Sequence, residues 1–266
     1  MRLKDRIAIV VGAGQSPGEG VGNGRATAIT FAREGAKVLC VDRNLESARE
    51  TVAMIAERQG TAVAFEADVT REAELRAMVA DAQGRWGRVD ILHNNVGVSI
   101  SGGDAELLDI SEEAFDRCVA INLKGTMLAC KHVIPVMRAQ SSGAIVNISS
   151  MAAITSYPLV AYKASKSAMI AFTEQLAYQN ARYGIRANVI LPGLMNTPMA
   201  VDTRAREFRR SRKEVEAERD AQVPLRRKMG TAWDVANAAL FLASDEANFI
   251  TGVALPVDGG ASVRRG

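Results

Sequence analysis

The chain has 266 residues, 48% hydrophobic and 24% charged, with 33 basic against 30 acidic side chains and a net charge of +3. That length suits one ordinary domain with a real core, and the composition excludes a disordered chain. The charge excess is too slight to argue for a nucleic-acid partner, and no apolar stretch approaches the roughly 18 residues of a membrane span. The apolar run Ile7 to Val11 is too short for a secretory signal, and Cys40, Cys118 and Cys130 form neither a CxxC pair nor an even framework. A reducing cytoplasm is therefore the expected location. With His93 and His132 the only histidines, no metal site is expected.

Taken in chain order, Val- and Ile-rich runs predict buried strands at 7–11, 37–41, 62–66, 90–92, 144–148, 186–191 and 253–257. Helical patterns fall between them at 25–34, 45–58, 71–85, 111–139, 160–182 and 231–243. Repeated βαβ units of this kind imply an α/β fold, a Rossmann-like doubly wound seven-stranded parallel sheet with helices on both faces. Residues 1–266 read as one dinucleotide-binding domain, interrupted at about 198–228 by a polar insertion. In such sheets ligands bind beyond the carboxyl ends of the strands, so the loop after each strand is the place to look.

The first such loop, Gly12 to Gly24, holds six glycines in thirteen residues. It lets the backbone approach a pyrophosphate at the following helix N-terminus, where Asn23 and Gly24 lie. A strict GxGxxG is absent. Asp42 ends the second strand 18 residues after Gly24, close to the roughly 20 expected for a carboxylate on the adenosine ribose. Gly24 then closes the fingerprint and the loop before it is expanded. The Asp42 charge favours NAD over NADP, whereas Arg43 beside it leaves a 2′-phosphate possible.

Later strand ends carry Asp68-Val69, Asn94-Asn95-Val96-Gly97, Ser149-Ser150 and Pro192-Gly193…Thr197; Asn122 lies in a helix, and Tyr162-xxx-Lys166 opens another. Together with Gly252…Asp258-Gly-Gly260, and in this order, the chain resembles the short-chain dehydrogenase/reductase family along almost its whole length. The resemblance implies that Tyr162 is the general acid/base, Lys166 its partner that also reaches the nicotinamide ribose, Ser150 the residue bonding the substrate oxygen, and Asn122 the site of a helix kink. It further implies that Asp68 meets the adenine, Asn94 braces the nicotinamide loop, and Thr197 meets the carboxamide or pyrophosphate. Register along the fifth strand favours Ser150; Ser149 has the family's usual interval to Tyr162, and both stay open.

Residues i and i+4 share a helix face, so Tyr162 and Lys166 are neighbours. An ammonium about 4 Å from the phenol, at an effective dielectric near 20, supplies about 4 kcal/mol, or roughly three pKa units of lowering. Val98, Ile100, Met151, Tyr157, Met195 and Met199 are the expected pocket walls and suit a partly apolar substrate. His93 is expected to be a satisfied core residue, and Cys118 and Cys130 to be packing residues.

Residues 200–230 carry ten basic and six acidic side chains, with pairs such as Arg210–Glu214 and Arg212–Glu216 at helical spacing. The resemblance makes this stretch the substrate lid; its charge suits either an anionic substrate or a solvated, salt-bridged helix. The expected activity is hydride transfer between a nicotinamide cofactor and a secondary alcohol or ketone. An NADPH-dependent 3-oxoacyl thioester reductase and a catalytically silent dinucleotide sensor are the alternatives. The family further implies a homotetramer, with helices 111–139 and 160–182 and the last strand at its interfaces.

Overall fold

A computed structural model describes residues 1–264. Seven parallel strands form one sheet in the order β3-β2-β1-β4-β5-β6-β9: β1 (Ile7–Val11), β2 (Lys37–Asp42), β3 (Thr61–Glu66), β4 (Ile91–Asn94), β5 (Gly143–Ile148), β6 (Ile185–Pro192) and β9 (Ala254–Val257). The small pair β7 (Met195–Asn196) and β8 (Gly230–Thr231) forms a second sheet. Helices α1 (Asn23–Arg33), α2 (Leu45–Ala56) and α9 (Ala232–Ala243) cover one face of the main sheet. Helices α3 (Glu72–Trp86), α5 (Gly125–Gln140) and α6 (Val160–Asn180) cover the other, with α4 (Glu112–Val119) beside them.

Double coverage explains why β1 is apolar at every position rather than alternating. Ala8 and Val10 pack towards α1 and α9, while Ile9 and Val11 pack towards α3 and α5. The chain order reverses direction between β1 and β4, which opens a crevice at their carboxyl ends.

The helical stretch 111–139 is interrupted around Asn122, where the resemblance implies a kink: α4 passes into a π-helical turn, Ala120–Lys124, before α5 begins. One departure from the sequence expectation concerns this frame. His93 is in the core but not satisfied. Both ring nitrogens are buried without a hydrogen-bond partner, and its ring meets Phe31 edge-on at 6.0 Å. Burial pushes its pKa down to about 3. Below pH 6.5 the unfolded chain therefore takes up a proton that the native protein refuses, and stability falls towards acid by up to about 1.4 kcal/mol per pH unit. His93→Leu is expected to remove this slope, gaining on the parent by that increment between pH 6 and pH 4 in urea unfolding. Parallel stability curves would show the imidazole to be bonded after all.

Residues 197–229 leave the sheet as α7 (Asp202–Glu207) and α8 (Arg212–Gln222), held by a small cluster of Val201, Val215, Val223 and Met229. Ser211 and Glu214 form a reciprocal capping box that starts α8. This insertion is tied to the expanded glycine loop. Arg206 donates to Pro17 O at 3.1 Å, Glu19 N donates to Asp202 at 3.4 Å, and Arg212 pairs with Asp202.

Candidate active site

The glycine loop is shaped by close approach. A Cβ on Gly24 would stand 1.8 Å from Gly12 O, and Gly12 itself has φ +80°. Asp42 accepts from Gly14 N at 3.0 Å and from Asn44 N at 3.0 Å, so the carboxylate braces this loop as well as ending β2. Arg43 is exposed. Asn23, in the first turn of α1, holds a buried Oδ1 with no partner.

The side chain that crosses from β4 to the glycine loop is not Asn94. Asn94 points into the protein, donating to Asn147 Oδ1 at 2.9 Å, and Asn147 donates on to Thr173 Oγ1 at 2.9 Å. Asn95 makes the link instead, through Nδ2 to Gly12 O at 3.3 Å. Alternation along a strand end explains the exchange, since neighbours face opposite sides.

Asp68 forms a tight turn, accepting from Thr70 N at 2.9 Å and Thr70 Oγ1 at 2.7 Å. Partial burial raises its pKa, but the Thr70 bonds and the charges of Arg71 and Arg43 outweigh this and hold it below the usual range. Val69 is buried against Gly125, where a Cβ would come within 2.8 Å of it. Gly193 lies equally close to Asp258, and its N–H donates to Val257 O at 2.9 Å as β6 ends at Pro192.

The polar centre lies beyond β5. Lys166 is buried and donates from Nζ to Ile148 O at 2.8 Å. The same nitrogen would stand 3.1 Å from a Cβ on Gly97, so that glycine keeps the space beside the ammonium open. Asn122, fully buried in the π turn, accepts from Val98 N at 2.7 Å and donates to Val98 O at 2.9 Å and Ser165 Oγ at 3.1 Å. The extra backbone residue of the π turn is what aims this amide across to the loop after β4.

The two serines are distinguished by their partners. Ser149 is buried and donates to Lys166 O at 2.6 Å, a structural role. Ser150 lies near enough to Tyr162 for its hydroxyl to favour the phenolate, while its oxygen accepts from Ala152 N at 3.1 Å. Tyr157 stacks obliquely on Tyr162, ring centres 5.6 Å apart, and Met151 is half-buried in the short turn that follows Ser150. Thr197 is buried, its hydroxyl accepting from Ala200 N at 3.3 Å at the entry to α7.

The expected lowering of the Tyr162 pKa by Lys166 is not what the protein alone shows. The ammonium sits 5.7 Å from the ring centre and faces Ile148 O. Burial dominates and pushes the phenol up to about 12, against the lowering by the Ser150 bond and the Arg204 charge. Burial also pulls Lys166 down to about 8. Met195 is buried in the core with Val235 and Leu240, and its sulfur would stand 2.7 Å from a Cβ on Gly230.

Asp104 has no signal in the sequence. It lies 57 residues before Ala161, yet accepts from Ala161 N at 2.9 Å and Tyr162 N at 3.0 Å, capping the helix that carries Tyr162 and Lys166. The preceding Leu159 cannot cap. Local cap patterns cannot reveal a carboxylate supplied from so far along the chain.

Over residues 19–262 the chain matches the family model described as Enoyl-(Acyl carrier protein) reductase. It is 34% identical over 256 residues to 2-(R)-hydroxypropyl-CoM dehydrogenase of Xanthobacter autotrophicus, covering 96% of this chain and 97% of that protein. The chain belongs to the short-chain dehydrogenase/reductase family. The crystal structure of levodione reductase superposes on this member of the family with a TM-score of 0.92 at 32% identity, covering 99% of this chain and 100% of that one. A 7α-hydroxysteroid dehydrogenase complexed with NADH and 7-oxo glycochenodeoxycholic acid gives 0.85 at 33% identity, with 97% and 95% covered. The short-chain dehydrogenase/reductase described here is an oxidoreductase of CH–OH groups that moves a hydride between a nicotinamide cofactor and a secondary alcohol or ketone. Its residues fit a nicotinamide dinucleotide: the cradle that a Cβ on Gly24 would fill and the unpartnered Asn23 amide lie at one end of the crevice, and Lys166 beside Gly97 at the other.

Proposed function

We propose an NAD-preferring dehydrogenase/reductase of secondary alcohols in which Ser150, Tyr162, Lys166 and Asn122 form the catalytic set. The observation that carries this reading is the buried Lys166 ammonium beside Gly97 and the Asn122 amide that fixes the Val98 loop there, with Ser150 and Tyr162 at the same strand end. Bound nicotinamide supplies the hydride acceptor or donor. Tyr162 gives its hydroxyl proton to the substrate oxygen in reduction and takes it back in oxidation. Ser150 donates to the same oxygen as charge develops there. Lys166 adds positive charge beneath the site and offers its remaining donors to the cofactor ribose. Gly12, Asn23 and Gly24 hold the pyrophosphate, Asp42 the adenosine ribose, Asp68 and Val69 the adenine, and Gly97, Pro192, Gly193 and Thr197 the nicotinamide end. Met151 and Tyr157 wall the substrate side, and α7 and α8 act as its lid.

Asp42 supports NAD, because a 2′-phosphate would meet its carboxylate while Arg43 points to solvent. Fluorescence titration is expected to give at least tenfold tighter binding of NADH than NADPH, and the reverse order would overturn the preference. The family points to a homotetramer, and the three buried free cysteines suit a cytoplasmic protein. Among the described residues no helix is long and apolar enough to cross a membrane.

A further inference from the structure

The insertion's charges are not equivalent. Arg212 is neutralised by Asp202 and Glu216, with Glu19 at 3.6 Å, and Arg210 reaches Glu218 rather than the Glu214 that helical spacing suggests. Arg206 serves the glycine loop. Arg209, Lys213, Arg226, Arg227 and Lys228 are exposed to solvent, which leaves two half-buried arginines. Arg204 on α7 makes a single bond, to Ala200 O at 3.0 Å, and Arg219 on α8 makes none; neither has a carboxylate within 4.0 Å among the described residues. Arg219 Nε is buried without any partner.

These two side chains turn inward. The Arg204 charge reaches Tyr162 and lowers its pKa, and Arg204 and Tyr157 both act on Arg219. Burial, with the repulsion from Arg204, pulls the Arg219 guanidinium down to about 10. Two like charges near enough to repel, close to the catalytic tyrosine, with no carboxylate within 4.0 Å among the described residues and only one more distant, Glu218, favouring the Arg219 charge, are unfavourable unless something anionic completes them. Guanidinium forks match planar or tetrahedral oxyanions through paired N–H donors.

We propose that Arg204 and Arg219 form an oxyanion subsite over Tyr162 and Tyr157, so that the enzyme's substrate is a secondary alcohol or ketone bearing a carboxylate or sulfonate group. This rests on the dehydrogenase reading above and extends it from reaction class to substrate class. The anion anchors one end of the molecule under α7 and α8, and the carbinol then lies against Ser150 and Tyr162. Met151 and the tyrosine rings receive the apolar stem between them.

The test uses the full-length enzyme with saturating NAD. 5-Hydroxyhexanoate, its methyl ester and 5-hydroxyhexane-1-sulfonate are compared by kcat/KM, and hexanoate, hexane-1-sulfonate and hexanamide by calorimetric binding. One of the two anions is expected to exceed the ester by about tenfold to a hundredfold in kcat/KM, the range of one or two charge-assisted hydrogen bonds. The preferred anion separates carboxylate from sulfonate as the natural group. In the double variant Arg204→Gln/Arg219→Gln that ratio should collapse towards one through KM, and calorimetric binding of the preferred anion should weaken at least tenfold. Lys213→Gln removes an exposed charge from the same insertion and should leave the ratio unaltered, which separates a subsite from general attraction. Equal use of ester and acids by the parent enzyme, anion binding unaltered in the double variant, or the same collapse in Lys213→Gln overturns the proposal. If neither ester nor acids turn over while an anion still binds through the two arginines, the dehydrogenase reading fails and the subsite stands.

Discussion

Replacing Tyr162 with Phe is expected to lower kcat/KM for every accepted alcohol or ketone by about 10³-fold or more, equivalent to about 4 kcal/mol of transition-state stabilisation. On the proposed mechanism the Tyr162 hydroxyl exchanges a proton with the substrate oxygen, with Ser150 nearby. The ring's packing against Tyr157 survives the change, so melting temperature and NADH affinity should stay close to those of the parent. Retention of a tenth of the activity would remove Tyr162 from its role. The pH profile offers an independent check. With the phenol pushed to about 12, Tyr162 is protonated throughout the neutral range and ready to act as the acid in ketone reduction. Lys166, pulled down to about 8, loses its charge first as pH rises. Reduction should therefore hold a plateau below pH 8 and decline above it. Oxidation needs the opposite protonation state of Tyr162, so it depends on whatever positive charge the loaded site adds.

Gly24→Ala should be the most damaging single methyl in the protein. Its Cβ would sit 1.8 Å from Gly12 O and 2.6 Å from Asn95 Nδ2, neither of which can yield without moving the loop or the end of β4. Overpacking of this kind costs about 1–3 kcal/mol of stability. The larger consequence is expected in binding, because the displaced backbone is the cradle of the pyrophosphate: NADH affinity should fall at least thirtyfold. Gly84→Ala makes the matching control. Gly84 lies inside α3 with nothing within 4 Å of its missing Cβ, and the change should stabilise by about 0.5–1 kcal/mol with NADH binding unaltered. If both variants bind NADH like the parent, Gly24 is not part of the cradle.

The inner strands were legible because burial on both faces makes them largely apolar runs, and the half-buried edge strands β3 and β9 because they are still mostly apolar. Asp42, Ser150, Tyr162 and Lys166 were legible because strand ends and helical spacing place them without knowledge of tertiary contacts. What escaped was set by contacts distant in the chain. Asp104 caps a helix from 57 residues away. The Tyr162 pKa went the other way from a two-body estimate because desolvation, which no spacing reports, outweighed the charge. Arg204 and Arg219 look like their neighbours in sequence, and only their half-burial without a carboxylate in contact among the described residues sets them apart.

The ties between the glycine loop and the insertion bear on the tempo of catalysis. Pro17 and Glu19 belong to the segment under which the dinucleotide would lie, and Arg206, Asp202 and Arg212 belong to α7 and α8 above the catalytic tyrosine. Neither cover can swing clear without rupturing bonds to the other. If α7 and α8 cover the substrate as proposed, departure of the cofactor and departure of product would be mechanically joined, and a turnover would end with one shared opening rather than two independent ones.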